Sequence, residues 1–194
     1  MEKRAILPRD WYARDVITVS KELLGQILVR RIDGRILRCK ITETEAYDGD
    51  KDLACHARAG RTPRTAILYG EPGIAYIYFV YGIHWCLNVV CHPLDDPAAS
   101  LIRAVQPLGD EDWFAQTRPG IPTAHRTDGP AKLTAALKIT GALNGTDFTD
   151  PGGELWIEQG KKESKADILA SPRVGIDYVP EPWKSMPWRF RLRK

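Results

Sequence analysis

The sequence has no uninterrupted run of about 18 apolar residues, the length an α-helix needs to span a bilayer. A membrane role is therefore not expected. There are only four cysteines, Cys39, Cys55, Cys86 and Cys91, and no Cys-x-x-Cys pair among them. Zinc-finger and iron–sulfur ligand sets are excluded on that spacing. Cys91-His92 with Cys86 comes nearest to a metal site. Metal-binding pairs recur at tighter spacing, so buried free thiols in a reducing compartment are the better account, and no metal is expected. No Walker or Rossmann glycine pattern is present, and no cofactor is expected. Internal repeats and low-complexity linkers are absent too. Met1-Glu2-Lys3-Arg4 leads into no apolar stretch of signal-peptide length. A cytoplasmic location follows as an expectation, with nucleoid-associated use if the source is bacterial.

What is present describes one domain over residues 1–194. Hydrophobic residues at 43% and charged residues at 27% are ordinary for a globular fold and argue against disorder. The 14 prolines and 16 glycines imply many turns and disfavour a helical bundle. A net charge of +3 is too small to require a polyanionic partner, but its distribution is uneven. Lys184, Arg189, Arg191, Arg193 and Lys194 crowd the last residues, and Glu43, Glu45, Asp48, Asp50 and Asp52 form an acidic stretch. A basic surface around an acidic pocket fits this pattern, and so does a solvated tail beside an acidic loop.

Hydrophobic spacing over residues 15–28 predicts a helix ending near Gly25. A strand at 27–31 follows, then the hairpin signal Asp33-Gly34, then a strand at 36–46. Residues 48–61 read as a polar loop. Thr62-Pro63 resembles a helix start, with Thr as cap and Pro in the first turn. Strands are expected at 75–81, 87–90, 101–105, 155–158 and 189–192, and a helix at 129–140. The expected fold class is α+β: a single domain with a mainly antiparallel, curved β-sheet flanked by helices.

Two clusters carry chemistry. In Glu43-Thr44-Glu45-Ala46-Tyr47, strand alternation puts Glu43, Glu45 and Tyr47 on one face. Glutamate is depleted in strands, so two together are unusual. A carboxylate facing a cleft can act as a general base toward water, and a pair of carboxylates also suits glycoside hydrolysis. A solvent-facing edge strand would show the same pattern. In Tyr76-Ile77-Tyr78-Phe79-Val80-Tyr81-Gly82, Tyr76 and Tyr78 share a face and Tyr81 ends the strand. Such rings can stack nucleobases, at about 1–3 kcal/mol each, or simply pack a core. Arg58, Arg61 and Arg64 are near enough in sequence to hold phosphates, although surface arginines are routine.

Taken in order, Glu43-Thr44-Glu45-Ala46-Tyr47, Cys55-His56 and Gly60-Arg61-Thr62-Pro63-Arg64 resemble the alkyladenine (3-methyladenine) DNA glycosylase family. The resemblance continues through Pro72-Gly73, Tyr76-Ile77-Tyr78, Tyr81-Gly82, Cys86-Leu87-Asn88 and Leu101-Ile102-Arg103-Ala104. It ends with Gly129-Pro130-Ala131-Lys132-Leu133 and Arg173-Val174-Gly175, so it covers most of the chain. Thr65 departs from an asparagine frequent in the family, and His84-Trp85 and the segment 91–99 differ from several members.

The resemblance implies roles. Glu45 is the base that activates water, and Arg103 and the Val174 backbone help to hold that water. Tyr47, His56 and Tyr78 wall the damaged-base pocket, and the His56 backbone bonds the base edge. Asn88 crowds the exocyclic amine of normal guanine. Tyr81 is the wedge that fills the duplex, and Arg61, Thr62 and Arg64 meet DNA, Arg61 and Thr62 at its backbone. Because one base suffices for this hydrolysis, Glu43 is read as a structural or supporting residue. The implied partner is double-stranded DNA with damaged purines, met by a monomer. The implied reaction is monofunctional base excision that leaves an abasic site. A carbohydrate O-glycosidase built on Glu43 and Glu45, or a noncatalytic nucleic-acid-binding module, are the alternatives the residues leave open.

Overall fold

The computed structural model describes residues 5–193. Residues 1–4, on which the leader-segment expectation rested, and Lys194 of the basic tail lie outside them. After a short helix α1 (Arg9–Tyr12), helix α2 (Val16–Glu22) starts at Asp15, whose carboxylate accepts a hydrogen bond from the Thr18 amide at 2.8 Å. That bond satisfies an otherwise unpaired amide of the first turn. Strands β1 (Ile27–Ile32) and β2 (Arg35–Asp48) are joined by Asp33-Gly34, both at positive φ, as a tight two-residue hairpin requires. Strands β3 (Ala75–Val80), β4 (His84–Cys91) and β5 (Ala98–Pro107) follow, then helices α3 (Glu111–Thr117) and α4 (Pro130–Ala136). Strands β6 (Leu155–Glu158), β7 (Ile168–Ser171) and β8 (Arg189–Leu192) complete the fold.

All strand pairs are antiparallel, in the order β3-β4-β5-β2-β1-β6, and the sheet does not close. The α+β class is as expected. Fourteen-residue β2 is the axis of the sheet. One edge pairs with β5 along most of its length. The other edge pairs with β1 over its first half and with β8 at Glu43, Thr44 and Glu45.

The register of β2 against β5 shifts twice, between Ile41 and Glu43 and between Glu43 and Thr44. Each shift is a bulge, one leaving Thr42 unpaired and the other Arg103. Their effect is on parity. Before the bulges, Leu37, Cys39 and Ile41 face the helices in the main core, where α2 packs on β2 and α4 on β4. Unbroken alternation would send Glu43 and Glu45 into that core with them. The bulge at Thr42 instead turns Thr44 inward, where its hydroxyl donates to the Ser20 carbonyl at 2.7 Å. Glu43 and Glu45 thereby reach the opposite face.

Some expected elements differ. The helix begun at Thr62-Pro63 is absent. Thr62 and Thr65 bond to each other at 2.8 Å and Thr65 donates to the Gly60 carbonyl at 2.6 Å, which closes a turn before a short 3₁₀ segment, Ala66–Tyr69. Those side-chain bonds compete with helix formation. The helix expected at 129–140 stops at Ala136, because Lys138 takes a positive φ. The strand expected at 36–46 runs on to Asp48. Helices α1 and α3 and strand β7 were not anticipated.

Phe190, 1% exposed, pairs with Thr44 and anchors β8 between the two glutamates. Phe190→Ala should reduce the unfolding free energy by about 3–5 kcal/mol in chemical denaturation. A loss below about 1 kcal/mol would mean that β8 is not held by this side chain.

Candidate active site

The sheet face opposite the helices carries a cross-strand row: Tyr76 on β3 pairs with Asn88 on β4, Asn88 with Leu101 on β5, and Leu101 with Glu45 on β2. Above this row lies a cleft of about 370 Å³, lined among others by Tyr47, His56, Arg64, Tyr78, Arg103 and Val174. The edge-strand account of the glutamates fails here, because Glu45 has no solvent exposure.

Glu45 is held by three donors from three segments. The Val174 amide donates to Oε1 at 2.8 Å, the Tyr47 hydroxyl donates to Oε2 at 2.8 Å, and Arg103 Nη1 lies 3.3 Å from Oε1. These three residues line the cleft, and Glu45 sits directly behind them. Burial pushes the Glu45 carboxyl above its ordinary value, while Arg103, the Val174 amide and the Tyr47 hydroxyl pull it back. Glu43 does not share this position. Its Oε1 accepts from Arg103 Nε at 2.9 Å and from Arg189 Nε at 2.7 Å. It therefore fixes the guanidinium that faces Glu45. The two carboxylates converge on one arginine rather than flanking a substrate, which argues against the O-glycosidase alternative.

Val174 belongs to a strap, residues 172–188, that crosses the cleft between β7 and β8. A salt bridge between Asp52 and Arg173, with both side chains fully buried, ties this strap to the loop after β2. Arg173 also donates to the Ala46 carbonyl at 3.0 Å, and its guanidinium lies 4.8 Å from the Tyr47 ring and 5.0 Å from the Trp188 ring. Sequence reasoning placed Asp52 only in an acidic loop. Its partner is 121 residues away, and no local pattern announces the pair.

The other wall is aromatic. His56 sits edge-on to Tyr78 with ring centroids 4.6 Å apart, and its Nδ1 lies 2.8 Å from the Tyr76 hydroxyl. Arg64 lies 5.3 Å from the Tyr78 ring. Asn88, nearly buried, donates from Nδ2 to the Tyr76 carbonyl at 3.0 Å and lines the cleft. Tyr81 is 82% exposed at the tip of the β3–β4 hairpin, in a left-handed conformation, with exposed Phe79 and Ile83 beside it. Arg61 and Thr62 do not line the cleft. Arg61 lies 3.1 Å from Asp95, and Thr62 is bound into its own turn by Thr65. The departure at Thr65 is thus a residue that holds this turn together. Among the described residues no group of three or more His, Cys, Asp or Glu side chains is placed to hold a metal ion.

Burial, with Arg64 and Arg58 nearby, lowers the His56 pKa to about 4. The imidazole is therefore neutral at physiological pH, and the pocket wall gains no charge from it. Because the folded value lies below the unfolded one, this histidine withdraws stability as pH falls from about 6.5 toward 4. Ring chemical shifts of His56 should stay those of a neutral imidazole down to about pH 4. A midpoint near the ordinary value of about 6.5 would contradict this description of the wall.

The chain was compared with known proteins. Residues 10–194 match the family model described as Methylpurine-DNA glycosylase (MPG). A protein of Methanocella arvoryzae named "Putative 3-methyladenine DNA glycosylase" is 44% identical over 95% of this chain and 91% of its own length. One of the same name from Carboxydothermus hydrogenoformans is 44% identical over 97% and 95%. Another from Desulfitobacterium hafniense is 42% identical over 96% and 94%. With a match that spans nearly all the described fold and the whole cleft, the chain belongs to the methylpurine-DNA glycosylase family, hydrolases of N-glycosyl bonds in DNA.

Proposed function

We propose that this protein is a monofunctional glycosylase that flips alkylated or deaminated purines out of duplex DNA and removes them with a water activated by Glu45. The observation that carries this reading is the buried Glu45 carboxylate, oriented by Val174, Tyr47 and Arg103 behind an aromatic cleft. A carboxylate offers about four acceptor positions. Oε1 meets two donors and Oε2 one, which leaves one position on Oε2 for a water molecule. Arg103 and the Val174 amide fix the carboxylate plane, and with it the direction in which that water is presented.

The chemistry needs little more. Ring alkylation puts positive charge on a purine and weakens its N-glycosidic bond. A carboxylate can then both direct water at the anomeric carbon and stabilise the positive charge that develops on the sugar. Extruding the base costs a few kcal/mol, less for damaged or mispaired bases, and stacking on Tyr47, His56 and Tyr78 offsets that cost. The hypothesis gives Asn88 the task of excluding the guanine exocyclic amine, with its amide held in place by the Tyr76 carbonyl. Tyr81 fills the duplex gap, and Arg61, Thr62 and Arg64 meet DNA, Arg61 and Thr62 at its backbone. Lesions such as 3-methyladenine, 7-methylguanine, hypoxanthine and ethenoadenine suit a pocket of this class. The chain acts as a monomer of one domain, in the cytoplasm.

Glu45→Gln should retain duplex binding and lose excision by about 100-fold or more. The assay uses duplexes carrying one lesion each, with abasic sites cleaved by hot alkali. At neutral pH this variant should melt no lower than the parent, because a carboxyl raised by burial costs stability once ionised and the amide removes that cost. Excision within a few-fold of the parent would sink the base assignment.

Tyr81→Ala should weaken lesion binding and flipping while the melting temperature stays nearly unchanged, since the side chain is 82% exposed. Normal flipping, read with a fluorescent base analogue, would remove Tyr81 from the role of wedge.

A further inference from the structure

Val174 is 47% exposed as a residue, yet its amide makes a hydrogen bond on which the orientation of Glu45 depends. Its side chain is not what holds it there. One residue earlier, the Arg173 side chain is fully buried, with both terminal nitrogens of its guanidinium engaged and its Nε without a partner. It bonds both carboxylate oxygens of Asp52, at 2.9 Å through Nη2 and again through Nη1, and it donates to the Ala46 carbonyl and the Trp183 carbonyl. Its plane lies against Tyr47, which bonds Glu45, and Trp188, whose carbonyl accepts from the Ala46 amide. Asp52 is equally committed. Beyond Arg173 it accepts from the Ala54 amide at 3.0 Å and the Asp48 amide at 3.2 Å, which locks the loop that leads to His56.

We infer that the Asp52–Arg173 pair is a positioning device for catalysis: it sets the Val174 amide and the Tyr47 ring against Glu45, without touching substrate. This rests on the proposal that Glu45 is the base. The geometry supports it in two ways. Arg173 is covalently next to one Glu45 donor and stacked on another. A bidentate guanidinium–carboxylate pair is also directional, so it fixes an angle as well as a distance.

A pair that only stabilised the fold would alter melting and leave the titration of Glu45 unchanged. A positioning pair would alter both. The groups that face Glu45 are Tyr47 on its own strand, Arg103 on β5, Arg189 on β8, Cys86 on β4, Tyr78 on β3 and Arg173 on the strap. Arg103 and Arg189 are fixed by Glu43 and do not depend on Asp52. Loosening the strap therefore removes the Val174 amide and leaves these two arginines in place; Arg173→Lys does so with both charges of the pair kept, whereas Asp52→Asn also frees the Arg173 charge, which favours the Glu45 carboxylate and opposes the shift. A carboxylate that loses a hydrogen-bond donor becomes easier to protonate.

The test is Asp52→Asn in the full chain, with Arg173→Lys as second variant. Single-turnover excision of hypoxanthine is followed against pH. Expected is a rate at neutral pH lower by about tenfold or more, with the acid limb moved to higher pH and affinity for lesion duplex within about twofold. Val174→Pro, which has no amide hydrogen, should move the limb in the same direction, and Asp52→Asn should add little in that background. An unmoved limb in Arg173→Lys with a lowered melting temperature would overturn the proposal and make the pair purely structural. Fully additive effects in the double variant would overturn it too. Should Asp52→Asn fail to fold, Arg173→Lys, which keeps the charge and loses the fork, carries the same expectations. Failure of the underlying reading shows separately: an active Glu45→Gln removes the base itself, whereas an inactive Glu45→Gln with an unmoved limb in Arg173→Lys removes only this inference.

Discussion

A carboxylate shut away from water, held by donors from three distant parts of the chain, is the constraint to which the rest of this structure answers. Glu45 has no exposed surface. Its desolvation must be offset by hydrogen bonds and an opposite charge, or the group would simply take up a proton. Tyr47 comes from the same strand, Arg103 from the neighbouring one, and the Val174 amide from a strap that closes over the cleft. Each donor brings its own support. Glu43, itself bound by Arg189, fixes Arg103, and Asp52 and Trp188 flank Arg173 beside Val174. The two bulges between β2 and β5 exist in the same context. The one at Thr42 turns the glutamates away from the hydrophobic core and toward the cleft, and the other lies at Arg103 on β5.

This arrangement accounts for the length of the central strand. Strand β2 must first complete a hairpin with β1, then change parity, then receive β8 on one side and β5 on the other. Only at that point does a carboxylate meet a guanidinium, a phenol and a backbone amide together. The rings that line the cleft carry no charge of their own: burial holds the phenols of Tyr47 and Tyr78 well above their ordinary values, and His56 remains neutral, with the Arg64 cation beside Tyr78. Uncharged rings over a carboxylate suit a flat heterocycle attached to a sugar on which positive charge develops.

Much of this was legible in the residues themselves. The Asp33-Gly34 hairpin, the strand that carries Tyr76 and Tyr78, and the shared face of Glu43, Glu45 and Tyr47 all follow from turn chemistry and a period of two. The shared face was legible because residues 43–47 alternate regularly among themselves. Counted from Ile41, the same rule would have buried both glutamates in the core, and nothing in Thr42 signals a bulge. The Thr62-Pro63 segment misled because a threonine that caps a helix and one that closes a turn look alike until Thr65 is seen bonding back to Gly60. The Asp52–Arg173 pair was hidden for another reason: its two halves lie far apart in the chain, and a buried ion pair leaves no mark on local periodicity. Most of the cleft lining came from motifs already noticed. The device that holds it shut came from the tertiary fold.

The central claim is that an ionised, protein-oriented Glu45 is required for base removal, and pH tests it most directly. Hypoxanthine is a neutral leaving base, so the acid side of its excision profile reports on the enzyme. Because burial raises the Glu45 carboxyl, single-turnover excision by the unaltered protein should fall in acid with a midpoint above the value of about 4.3 for a free glutamic acid. A rate that holds constant to below about pH 4.3 would contradict the account, since the carboxylate proposed to direct water would then be protonated without consequence.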